Sequence, residues 1–344
     1  MKNQMVLEAN AYWGDQTATI DWCEKNYEVT YYIAEFWNTV SNLALILLAA
    51  YGIFKSIILN LNFNKKGNKF SISNSMLACY FGLSMVGMGS WMFHMTLQYS
   101  MQLLDELPML YAISIGLYAF CDLLISSFEL ENQVTRSDLK RSRSLLCKLC
   151  TYRLAVFISL FTYCVSVTYI YVNVWKDPVF HQISFGIILI LGFIATYKCL
   201  KIYKLSKRLF ALGLSYFLLG FLFWNLDNHM CESLRYYRDS VEGIFGVRQT
   251  NLNEFNLKAV IFNGIIVSLK AISEFHSLWH VFTGMASFLG VLCMIELSYE
   301  HHLKKTRLLS EENPVCATCF NLFYDLSTHE ENEVDTKDRK IKQY

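Results

Sequence analysis

Three histidines stand in two short runs, His94 at the end of Ser90-Trp91-Met92-Phe93-His94 and the pair in His276-Ser277-Leu278-Trp279-His280. Three imidazoles are enough to hold a hydrolytic zinc ion, which keeps its fourth position for water and lowers the pKa of that water to about 7. A hydroxide nucleophile at neutral or mildly alkaline pH suits hydrolysis of an amide or ester. On a helix, the spacing of His276 and His280 puts both rings on one face, one turn apart. Ser90 precedes His94 by the same interval. Its hydroxyl could hold the water or hydrogen-bond a developing oxyanion, and equally it could be a small residue permitting close packing beside Gly87 and Gly89. Asp105, which the pattern places at the opening of the next helix, could complete the zinc shell or could orient the water and carry its proton to a leaving amine. Spacing does not separate these roles; we favour the proton-carrying one.

The elements that must position these residues are membrane helices. Of the 344 residues 54% are apolar and only three are proline, with a mean hydropathy of +0.28, which is too apolar for an ordinary soluble chain. A net charge of +1, with basic residues bunched between apolar runs, gives no face for nucleic acid. Met1 to Asn10 lacks the basic and apolar regions of a cleavable signal, so the first span is expected to direct insertion and the N-terminus to stay in the mature chain. Runs of about 20 apolar residues predict an all-α bundle of seven spans, near 36–58, 74–95, 105–127, 154–174, 181–198, 209–226 and 278–299.

Lys and Arg cluster after the first, third and fifth spans (Lys65 to Lys69, Arg136 to Arg153, Lys198 to Arg208) and in the tail at Lys304, Lys305 and Arg307. The positive-inside rule then puts the N-terminus on the luminal side and the C-terminus in the cytosol. Arg235, Arg238, Arg248, Lys258 and Lys270 run against the rule but are thinly spread, so the tighter clusters decide. With that topology His94, Asp105, His276 and His280 all fall at one membrane face. A lone histidine in a bundle is usually a hydrogen-bonded polar residue. Four costly polar groups at one depth instead indicate function. His181, His229, His301, His302 and His329 lack such company and receive no role.

The N-terminal segment holds Asp21-Trp22-Cys23-Glu24-Lys25-Asn26, with Glu28 shortly after and Glu35 at the mouth of the first span. Side chains of Asp21, Glu24, Asn26 and Glu35, with backbone carbonyls such as that of Trp22, could supply the oxygens of a calcium site; a solvated acidic loop fits the spacing equally well. Cys23 and Cys231 both fall on the luminal side, where disulfides persist, and could staple the loop to the end of the sixth span. Cys147/Cys150 and Cys316/Cys319 are cytosolic CxxC pairs, read as palmitoylation sites or plain thiols.

Tyr12-Trp13-Gly14, Asp21-Trp22-Cys23-Glu24, Ala34-Glu35-Phe36-Trp37-Asn38-Thr39, Gly87-Met88-Gly89-Ser90-Trp91, Gln102-Leu103-Leu104-Asp105-Glu106-Leu107-Pro108-Met109, Gly220-Phe221-Leu222-Phe223-Trp224-Asn225 and Cys231-Glu232-Ser233-Leu234-Arg235 together resemble the alkaline ceramidase family, in both halves of the chain. The resemblance implies a seven-helix amidase of endoplasmic reticulum and Golgi membranes that takes ceramide from the bilayer and releases a sphingoid base and a fatty acid, with no obligate protein partner. It implies zinc on His94, His276 and His280, catalytic roles for Ser90 and Asp105, calcium on Asp21, Trp22, Glu24, Asn26 and Glu35, and a Cys23–Cys231 disulfide. Residues 1–35 would then be a luminal calcium-binding segment and 36–299 the catalytic bundle; 300–344, polar and charged after Leu309 and there outside the resemblance, are expected as a disordered cytosolic tail. The connection from Arg235 to His276 is longer than the family's compact loop. Residues 236–275 are expected as an extended luminal loop, with Leu257 to Ile272 interfacial, since an eighth span would carry His276 away from the zinc side. The competing readings are a seven-helix lipid receptor with a structural zinc and a metal transporter. The first would need no acid-base pair beside the metal, and the second would spread its ligands through the membrane depth.

Overall fold

Hydrocarbon cannot solvate backbone amides, so apolar runs of this length must close their hydrogen bonds internally, and the chain does so as helices. The computed structural model describes residues 12–65, 70–134, 139–205, 207–245 and 273–309. Its helices are α1 (Phe36–Ser41), α2 (Leu43–Lys65), α3 (Asn74–Thr96), α4 (Tyr99–Val134), α5 (Leu139–Asn173), α6 (Pro178–Tyr203), α7 (Arg208–His229), α8 (Cys231–Phe245) and α9 (Phe275–Leu309). Seven stretches are long and apolar enough to cross a membrane: Phe36–Lys65, Asn74–Thr96, Tyr99–Leu130, Cys150–Asn173, Pro178–Tyr203, Arg208–His229 and Phe275–Thr306. Each contains or closely overlaps an expected span. Large apolar side chains such as Phe54, Phe157, Phe161, Ile190 and Leu218 face outward, as they do on helices solvated by lipid.

Three features depart from the sequence reading. Helix α4 begins at Tyr99, so Asp105 lies more than a turn inside it rather than at its opening. The cause is Leu97, which ends α3 in the left-handed conformation (φ 51°) without the glycine that usually marks such a stop. Its carbonyl accepts the amides of Thr17 and Ala18 at 3.2 and 3.0 Å, which fastens the N-terminal loop over the α3–α4 turn. Second, the start of the expected 236–275 loop is helical, because α8 runs through to Phe245; residues 246–272, including the interfacial stretch Leu257 to Ile272, lie outside the described residues. Third, α9 continues to Leu309, so the first ten residues of the expected tail are helix; the remainder, with Cys316 and Cys319, also lies outside.

A close helix approach sets the level of Asp105. Pro108 sits inside α4 and has no N–H, which leaves the Leu104 carbonyl without its helical donor. Gly89 of α3 fits against that carbonyl so closely that a Cβ there would stand 1.9 Å from Leu104 O and 3.0 Å from Asp105 N. A Cα–H of Gly89 thus faces the freed oxygen, a weak hydrogen bond that recurs where helices cross closely. The next residue is Ser90, so this contact brings Ser90 and Asp105 side by side. Gly89→Ala should drive the two helices apart at a cost of about 1–3 kcal/mol or more. The expected result is a thermal midpoint lowered by several degrees in detergent; an unchanged midpoint would mean that the helices do not meet this closely.

Candidate metal centre

His94 lies in the last turn of α3, and His276 and His280 in the first two turns of α9. All three are buried. Their ring centroids are 4.9 Å (His94 to His280), 5.0 Å (His94 to His276) and 4.7 Å (His276 to His280) apart. One nitrogen from each lies within 4.8 Å of the others, and among the described residues this is the set of His, Cys, Asp or Glu side chains that converges so tightly.

The hydrogen bonds fix which nitrogens are free. His94 Nδ1 is hydrogen-bonded to Glu35 Oε2 at 2.5 Å, while its Nε2 is buried without a partner. Ser41 Oγ gives its proton to the Asn38 carbonyl at 2.8 Å, so it accepts from His280 Nδ1, also at 2.8 Å. That leaves His280 Nε2 with a single long contact, 3.4 Å to Ser90 Oγ. His276 Nδ1 is likewise buried and unpartnered, and the ring is stacked on Trp22 with centroids 3.6 Å apart. Unpaired buried imidazole nitrogens are costly unless a metal takes them. The donor set therefore fits a zinc ion. Ser90 stands between His280 and Asp105, with its hydroxyl hydrogen-bonded to the Asp105 carboxylate, and Asp105 keeps partial exposure.

The N-terminal loop forms the lid of this site. Cys23 and Cys231 are joined in a disulfide, which ties the loop to the start of α8. Asp227 of α7 accepts the backbone amides of Cys23 (3.1 Å) and His276 (3.3 Å), joining loop and metal helix through one carboxylate. Arg238 of α8 is buried; it donates to the carbonyls of Cys23 (3.1 Å) and Ser273 (2.7 Å) and pairs with Glu274 at 2.8 Å. Arg235 donates to the carbonyls of Cys23 and Trp22. Two of the five cations that opposed the positive-inside pattern are thus turned into the protein.

The expected calcium donors occupy the same loop. Both oxygens of Glu24 accept backbone amides at the start of α1, from Trp37 at 2.7 Å and Asn38 at 2.8 Å. Glu35 Oε1 accepts from Trp22 N at 3.2 Å, Asn26 leaves its Oδ1 buried without a partner and points its amide at Asp21 (3.4 Å), and the Trp22 carbonyl accepts from Arg235. Burial, then the charge of Glu35, pushes the Glu24 carboxyl up to about 8. Burial, followed by the charge of Asp21, holds Glu35 well above the carboxylate range. Burial raises Glu274 to about 8 although Arg238 opposes the shift. Acids that raise one another in this way, beside an orphaned amide oxygen, have the donor chemistry of a hard divalent cation. Sequence reasoning missed Ser41, Asp227 and Arg238, which act through contacts to residues distant in the sequence and carry no motif, and it did not see that Glu35 holds His94.

Residues 14–249 match the family model described as Ceramidase. The chain is similar to alkaline ceramidase 3 of Mus musculus, with 36% identity over 288 residues that cover 83% of this chain and 86% of that protein. It is similar to alkaline ceramidase YPC1 of Saccharomyces cerevisiae at 31% identity, covering 83% and 78% respectively. A shorter match to the alkaline ceramidase of Arabidopsis thaliana is 40% identical over 109 residues, 32% of this chain and 38% of that one.

Ser41 gives a specific test of the centre. Ser41→Ala would strip His280 Nδ1 of its acceptor and loosen the ring, an outer-sphere loss expected to weaken metal affinity about 10–100-fold. Competition with a chelator of known zinc affinity would measure it. Equal affinity in both proteins would show that Ser41 does not orient the ligand.

Proposed function

The chain belongs to the ceramidase family and is a hydrolase of that kind, and from that premise we propose that it cleaves the amide of ceramides, phyto- and dihydro-forms included, with the aid of zinc. The observation that carries this reading is the meeting of three buried imidazoles with the Ser90–Asp105 pair, within about a helical turn of Val86, Met109, Trp279 and Thr283, which line an apolar cavity. That cavity encloses about 220 Å³ and runs from Trp279, beside His280, down between α4, α6, α7 and α9. An alkyl chain entering from the bilayer would lie in it, with the amide at its upper end.

His94, His276 and His280 would hold zinc, which when bound acidifies water to near neutrality and polarises a carbonyl. The chain's own groups do the rest. Glu35 and Ser41 hold His94 and His280 in the tautomers that leave Nε2 free. Asp105 takes a proton from the attacking water and returns it to the nitrogen as the C–N bond breaks, so that acid and amine leave together. The Ser90 hydroxyl, within reach of Asp105 and His280, hydrogen-bonds the oxyanion that forms on the carbonyl oxygen. Burial under the N-terminal loop keeps bulk water from the amide.

The same reading places the metal end on the luminal side of endoplasmic reticulum and Golgi membranes and gives calcium to Asp21, Glu24, Asn26, Glu35 and the Trp22 carbonyl. Calcium would bind the ionised carboxylates that burial now disfavours and so stiffen the loop over the zinc site. Added to chelator-treated protein, it should raise the thermal midpoint by several degrees, and Glu24→Gln should remove the rise. A midpoint indifferent to calcium in the unaltered chain would dismiss the site.

Release of fatty acid from a ceramide panel by the purified protein in detergent tests the main proposal. Asp105→Asn should lose about 10²–10⁴ in kcat while keeping its zinc. Ser90→Ala should lose about 10²–10³. His280→Ala should lose metal and turnover together. If Asp105→Asn also sheds zinc, Asp105 is a ligand rather than the proton carrier. Full zinc with no turnover on any ceramide would favour the receptor.

A further inference from the structure

The cavity has a depth scale built into its helices. Three of them run away from the metal end, and each has a polar residue at that level: Asp105 on α4, His280 on α9, and His181 on α6, whose ring lies 5.6 Å from that of Tyr171, itself hydrogen-bonded to Glu106. Eleven residues beyond Asp105 comes Gly116, ten beyond His280 comes Gly290, and eleven beyond His181 comes Gly192. At the α-helical rise all three lie about 15–17 Å below the reacting groups. All three line the cavity. At Gly192 and Gly290 a Cβ would meet nothing within 4 Å, and at Gly116 only Cys79 Sγ at 4.0 Å, although Gly192 is buried. The lining continues below them to Phe120, Thr196 and Met294, about 21–23 Å down by the same rise.

We propose that this glycine layer sets the chain-length preference of the site, by leaving room for the far end of one long alkyl chain. The inference rests on the ceramide reading above. A lipid tail that fills one leaflet, half of a hydrocarbon core about 30 Å thick, ends about 15 Å from its head group, which is the level of the glycines. A leucine at this level would occupy the space that the end of a long tail needs and would leave the upper cavity and the reacting groups untouched. At Gly192 and Gly290 the first carbon of a side chain meets nothing within 4 Å, so the substituent starts into the cavity rather than into a neighbouring helix.

The test compares the unaltered protein with Gly290→Leu, Gly192→Leu and a control, Gly186→Leu. Gly186 is on α6 with nothing within 4 Å of its Cβ position but does not line the cavity. One arm varies the acyl chain of ceramide from 6 to 18 carbons at a fixed base; the other varies the base at a fixed short acyl chain. In the arm whose chain occupies the cavity, the two cavity variants should lose about tenfold or more in kcat/KM on the longest substrates. Short ones should stay within about twofold of the unaltered protein, and the control should match it throughout. The arm that responds identifies the chain. Equal loss at every length, or no loss at any, would overturn the proposal. If the unaltered protein hydrolyses no ceramide, the parent reading fails separately, and binding of a fatty-acid ladder from 6 to 18 carbons decides: a length limit shortened in the variants supports the layer, and an unchanged limit refutes it.

Discussion

Glu35 is wholly buried, yet both of its oxygens are engaged: Oε1 by the amide of Trp22, and Oε2 by the Asn38 side chain and His94 Nδ1. In a medium that screens so little, a carboxylate with these donors ties its partners firmly, and removing any of them leaves a group that water cannot reach. The N-terminal loop, the entrance of the first span and the end of α3 therefore come together as one unit. The orientation of His94 follows from this bond, since Nδ1 faces Glu35 and Nε2 is left without a partner. Trp22, one residue before the disulfide, is then held flat against His276. The loop and the metal end of the bundle determine each other's shape.

The helices supply the complementary rigidity through places where ordinary helix bonding fails. Pro108 frees the Leu104 carbonyl, and Gly89 moves in against it. Leu97 stops α3 in a conformation that disfavours leucine, and two amides of the N-terminal loop fasten on its carbonyl. In each case a gap in one element is filled by another, which fixes their relative height. A site assembled from α3, α4 and α9 needs this, because packing among lipid-exposed helices has little hydrophobic drive of its own to set register.

The spans were readable because hydrocarbon thickness imposes a length and composition that no other element shares. The histidine trio was readable because His276 and His280 are one turn apart and the alternation of basic loops put His94 at the same end. Asp105 was assigned to the right neighbourhood and the wrong position in its helix, since the left-handed turn at Leu97 has no glycine to announce it. Ser41, Asp227 and Arg238 were invisible for a different reason. Each works through contacts made across 35 to more than 200 residues of sequence, as in Ser41 to His280, Asp227 to Cys23 and Arg238 to Ser273. Residue type alone does not reveal such a partner. The glycines of the cavity look like packing residues in sequence, and only the empty space beside them distinguishes them from Gly89.

Arg238 touches the chain on both sides of residues 246–272: it belongs to α8 before them, and it holds Ser273 and Glu274 after them, with Cys23 between. The start of α9 is therefore held by a buried guanidinium. One side chain thus fixes the position of α8 relative to the start of α9. The register of His276 and His280 is thereby tied to α8 and to the disulfide-bonded loop, so the staple that holds Trp22 over His276 also sets the height of that histidine.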